Sequence, residues 1–114
     1  MERIRETEDM YELIHITRVP DAKVRLEAIK QMCPCHVKGD IPEFWERLFE
    51  LADDKDIKIR YQVMHNLCDG SPGHYEDKII ECIEKFNRDP DSTIRRKASK
   101  IMACYSHTGK WNIM

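Results

Sequence analysis

Apolar positions recur along this chain in two interleaved stripes, each spaced as a helix requires. Val24, Ala28 and Met32 fall four apart, as do Ile59, Val63 and Leu67, and Ile94, Ala98 and Met102. At 100° per residue each trio spans about 80° of a helix, which predicts one buried side. Between these segments Met10, Leu13 and Ile16 recur at i, i+3 and i+6. Trp45, Leu48 and Leu51 repeat that spacing, and so do Ile80, Ile83 and Phe86. Each member of a trio lies 35 residues from its counterpart in the next copy. A fixed period of this size marks an internal repeat, with one helical hairpin per copy. The pattern predicts six helices, over about 2–18, 21–33, 41–53, 56–68, 74–88 and 91–106, alternating as three antiparallel hairpins. The predicted fold is all-α and one domain, 1–114, with repeats at about 2–35, 36–70 and 71–106 and a tail at 107–114.

Punctuation falls where this reading needs it. Asp21, Asp56 and Asp91 open each second helix at the N-cap position, where a carboxylate can accept the free N–H groups of the first turn. Pro20 and Pro90 help to end the preceding helix. Pro34 stops the first copy's second helix, and "CDGSPG" (68–73) and "SHTG" (106–109) supply turn residues for the other two. "KWNIM" (110–114) is predicted to fold back over the C-terminal end, because a stack of repeats needs its exposed ends covered; the rival reading is an apolar tail that docks on a partner.

The segments "DAKVRLEAIKQMC", "DIKIRYQVMHNLC" and "DSTIRRKASKIMA" share a D-x-x-[VI]-R-x-x-[AV] register. That register resembles the second helix of HEAT and HEAT-like repeats, across nearly the whole chain. The resemblance implies a right-handed α–α superhelix of stacked hairpins, with the second helices lining a concave side. It also implies that Asp21, Asp56, Asp91 and Arg25, Arg60, Arg95 form a structural ladder within and between repeats. Asp and Arg four apart on one helix are within pairing reach, which agrees. The period of 35 is shorter than the roughly 40 of the longer repeat class, and Lys55 stands where the other copies have Pro.

Charge sharpens the picture of partners. With 19 Lys/Arg against 21 Asp/Glu the chain is net −2, which argues against a nucleic-acid binder. Yet the helix face opposite the apolar trios collects Lys23, Leu26, Glu27 and Lys30, then Lys58, Tyr61, Gln62 and His65, then Thr93, Arg96, Lys97 and Lys100. Such a face suits an acidic peptide, an acidic protein face or a phosphate-bearing ligand; a protein or acidic peptide is the partner expected, with Tyr61 and Arg96 as anchors. The opposing expectation is a lysine-rich surface that serves solubility alone. The charged opening "MERIRETEDM" and the lack of any run of about 18 apolar residues predict a soluble, cytoplasmic protein with no membrane association.

Five cysteines without an export signal predict reduced thiols. Cys33 and Cys68 are repeat-equivalent; Cys35 lies in the loop after the first, with His36 beside it, and His74 lies beyond the loop after the second. Cys33, Cys35, Cys68 and His74 would make a tetrahedral zinc set if they converged, giving the alternative of a thiol- or zinc-dependent sensor. Against it stand the C-x-C spacing and the frequency of cysteine as a small packed residue. No catalytic motif is present, neither G-x-S-x-G, nor a phosphate loop, nor H-E-x-x-H. The expectation is a non-enzymatic interaction or scaffold module without a cofactor.

Overall fold

The computed structural model describes residues 6–32, 41–69 and 71–113. Among these residues every regular element is helical: α1 (Glu6–Ile16), α2 (Ala22–Lys30), α3 (Pro42–Leu51), α4 (Ile57–Leu67), α5 (Glu76–Phe86) and α6 (Ser92–Thr108), with a single 3₁₀ turn at Gly73–Tyr75. None of them is long and apolar enough to cross a membrane.

The even helices begin in the same way. Asp21 accepts the N–H of Lys23 at 2.9 Å, Asp56 that of Ile59 at 3.1 Å and Asp91 that of Ile94 at 2.9 Å. Each bond satisfies a donor that the first helical turn leaves free. α3 starts without a side-chain cap but has Pro42 in its first turn, where the missing N–H costs nothing. α6 ends at Gly109, whose φ of 73° lies in the left-handed region, and its N–H returns to the carbonyl of Tyr105 at 2.7 Å.

Helices that follow one another as hairpins pack together, α1 on α2, α3 on α4 and α5 on α6. Odd helices also touch odd neighbours, and even helices touch even ones, so each hairpin lies against the next. The core runs between the two rows and holds Phe44, Trp45, Leu48, Ile59, Val63, Ile79, Ile83 and Ile94, nearly all without solvent exposure.

Burial depends on a residue's place in the series as well as on its register. Val24 was expected to be buried with its equivalents Ile59 and Ile94, but it is 43% exposed whereas both of these are fully buried. Ile59 and Ile94 have an earlier hairpin to cover them, and Val24 has none among the described residues. The reverse holds at the other end. Ile29 and Met64 are buried, while their equivalent in the third copy is an exposed serine, Ser99. Met102, the last of the even-helix trios, is only half-buried.

The segment after α6 turns back. Trp111 is 7% exposed, and its indole N–H donates to Ser71 Oγ at 2.7 Å. Asn112 accepts the Ser71 N–H at 3.0 Å, so residues 111 and 112 lie against the connection between α4 and α5. Burying an indole while satisfying its N–H fastens this segment far better than its length would suggest.

Candidate ligand-binding face

Charge is divided between the two rows of helices. α2, α4 and α6 carry nine Lys or Arg and one acid, Glu27. α1, α3 and α5 carry eleven Asp or Glu and three Lys or Arg. A chain of nearly zero net charge therefore presents one strongly basic row and one strongly acidic row.

The basic row uses its arginines and lysines differently. Arg25 reaches Asp54 through Nε at 3.2 Å and Nη2 at 3.1 Å, and donates Nη1 to the carbonyls of Val19 and Pro20. Arg60 repeats the arrangement on Asp89, at 2.8 and 3.0 Å, with the carbonyls of Asp54 and Lys55. Each clamp links an even helix to the loop that follows the odd helix of the next hairpin. Asp54 and Asp89 are in turn oriented by the N–H groups of Asp56 and Asp91. The guanidinium fork matches a carboxylate edge to edge, a geometry that lysine cannot reproduce.

This differs from the pairing that helical spacing predicted. Asp21, Asp56 and Asp91 cap helices, and the partners of Arg25 and Arg60 are Asp54 and Asp89, 29 residues further on. Among the described residues Arg95 donates only to the carbonyls of Asp89 and Pro90. Burial on its own would raise the Asp89 carboxyl, but the hydrogen bonds from Arg60 and Asp91 and the nearby Arg60 and Arg95 charges outweigh it. The group titrates below the ordinary aspartate value.

The lysines have no such duty. Among the described residues Lys23, Lys58, Lys97 and Lys100 make no ion pair, and Lys30 meets only Glu27 on its own helix at 3.5 Å. Of the residues expected on this face, Lys30, Lys58, Arg96 and Lys100 are exposed. Tyr61, Gln62, His65 and Lys97 are half-buried. Gln62 is bonded to Asn66 at 3.0 Å, and His65 lies 3.7 Å from Asp69. Lys30, Lys58, Tyr61 and Gln62 come together around one open cleft of about 420 Å³, completed by Leu26, Ile57, Asp91 and Thr93. Arg96, Lys97 and Lys100 lie outside it, further along α6.

Comparison with protein-family models, with curated proteins and with solved structures finds no match to this chain.

Cys33 and Cys35, half of the candidate zinc set, lie outside the described residues, as does His36. The other half does not share an environment, since Cys68 is fully buried and His74 is exposed. Burial, reinforced by neighbouring Cys82, pushes the Cys68 thiol up to about 12, and burial likewise takes Cys82 to about 11. A metal ligand or nucleophile must be a thiolate, which this setting disfavours. Among the described residues no three His, Cys, Asp or Glu side chains gather as a metal site would need.

Four structural residues escaped the periodicity. Asp54 and Asp89 form D-x-D pairs with the capping aspartates, in "DKD" and "DPD", and lie 35 apart; this signal was present in the register. Arg47 on α3 donates to the hydroxyl and carbonyl of Thr17 after α1, at 2.8 and 3.0 Å, with no counterpart in the other copies. Asn66, fully buried, donates to the carbonyls of Ile29 and Met32 at the end of α2. A polar residue inside an apolar helix face was the only sign of it.

Proposed function

We propose that this chain is a non-enzymatic interaction module, a short HEAT-like solenoid that holds an acidic protein or peptide against its even-helix face. The 35-residue register, the hairpin-on-hairpin contacts and the recurrent Arg–Asp clamps support a right-handed superhelix of three repeats. The observation that carries the functional reading is the charge division, nine cations to one acid on α2, α4 and α6. Arg25 and Arg60 are consumed by the fold, and the remaining cations point to a partner that supplies the missing negative charge. The free thiols of Cys68, buried, and Cys82, half-buried, fit a reducing compartment such as the cytoplasm.

The test is retention on immobilised polyglutamate at low and moderate salt, comparing the wild type with the Arg96→Glu/Lys100→Glu double variant. Both residues are exposed, so the variant should keep its helical circular dichroism. Retention of the wild type, and its loss in the variant, is the expected result. Equal retention of a folded variant would overturn the assignment of this face.

A further inference from the structure

The lysine-flanked cleft has an apolar floor, and electrostatics alone gives no reason for one. Ile57, the first residue of α4, is 49% exposed, the most of any large apolar side chain among the described residues. Leu26 and Tyr61 are half-buried beside it, packed against the core from the outside. Ile57, Leu26 and Lys58 also line an adjoining cleft of about 860 Å³ that holds Lys23 and Lys55. The two clefts form one groove that crosses α2 and α4 and reaches the start of α6. Along it an apolar strip lies between Lys23, Lys55 and Lys58, which have no acidic partner among the described residues. Asp21, Asp56 and Asp91 reach the rim, but each has a carboxylate oxygen committed to a helix N–H.

We propose that this groove is a recognition site for a short extended acidic peptide carrying an apolar anchor. The anchor side chain would sit on Leu26, Ile57 and Tyr61, while flanking carboxylates meet Lys23, Lys58 and Lys30. Packed helices lie about 8–10 Å apart and an extended chain advances about 3.3 Å per residue. Crossing from α2 to α6 therefore takes about six residues, with alternate side chains facing the groove. Thr93 and Gln62 stand at the α6 end, where a peptide backbone would need polar contacts. This inference rests on the even-helix face being the binding face, and it adds a sequence requirement that charge alone does not impose.

The experiment titrates two fluorescein-labelled peptides of equal charge, DEDLFEDE and DEDAAEDE, into the wild type and into Ile57→Ser and Lys58→Glu variants near physiological salt. The anchored peptide should bind the wild type about tenfold more tightly than the alanine peptide, as burial of one or two apolar side chains implies. Ile57→Ser should abolish that difference, so that the variant binds the two peptides alike, and Lys58→Glu should weaken both. Equal affinity of the two peptides, an undiminished difference in Ile57→Ser, or tighter binding of a single-stranded oligonucleotide of the same charge would each overturn the anchor. In the first two cases the charge-based reading of the face survives; if neither peptide nor polyglutamate binds at any salt, both readings fall.

Discussion

Arg60 and Lys58 are two residues apart on the same helix and carry the same charge, yet they belong to different parts of the molecule. Arg60 is 12% exposed in its side chain and grips Asp89, itself 7% exposed, across the junction between two hairpins. Lys58 is exposed, unpaired among the described residues, and stands on the wall of a groove. Two residues turn a helix by about 200°, enough to move a cation from the inter-repeat joint to the open face. The contrast teaches that net charge, and even charge per helix, is a poor guide to binding until the structural cations are subtracted.

The largest separation between the two should appear in stability. Arg60→Ala leaves the Asp89 carboxylate buried without its main partner and frees two loop carbonyls, so unfolding free energy should fall by about 3 kcal/mol. Lys58→Ala should change it by less than about 0.5 kcal/mol. Urea denaturation followed by circular dichroism measures both, and equal losses would erase the distinction.

The same joint should make the fold acid-sensitive. The folded Asp89 titrates below its unfolded value of about 3.9. Its contribution is therefore fully present above that value and is lost as pH falls through the lower, folded one. Asp89→Asn should flatten the stability profile on the acid side of pH 4, and an unchanged slope would deny the clamp its role.

A smaller effect is expected at the helix starts. Asp91→Ala removes one cap from α6 and should cost about 1 kcal/mol. If it cost as much as Arg60→Ala, the capping aspartates would be part of the inter-repeat ladder after all.

How much of this was legible in the sequence follows from range. The helices, their caps and the 35-residue register rest on local periodicity, and Asp21, Asp56 and Asp91 cap where the pattern placed them. The clamps were half-legible. Arg25 and Arg60 stood out, but helical reach suggested partners on their own helix, whereas the side chains extend across a junction to residues 29 positions away. Val24 was misjudged because register says which side of a helix is apolar and cannot say whether a neighbour arrives to cover it. Ile57, the exposed part of the groove floor, was missed for a related reason. Ile57 lies between a capping aspartate and the repeating apolar trio, and only the approach of α2 sets it beside Leu26. Lys30, Lys58, Tyr61 and Gln62 were named from the helix face alone, and the fold brings those four to one cleft.

The central claim is that the basic even-helix face, rather than the acidic odd-helix face, meets the partner. Titrating polyglutamate into isotopically labelled protein and following its amide resonances tests that claim directly. Shifts should concentrate at Lys30, Lys58, Tyr61, Arg96 and Lys100, leave α3 and α5 unmoved, and fade as salt screens the charges. Shifts centred on α3 or α5, or none at low salt, would contradict it.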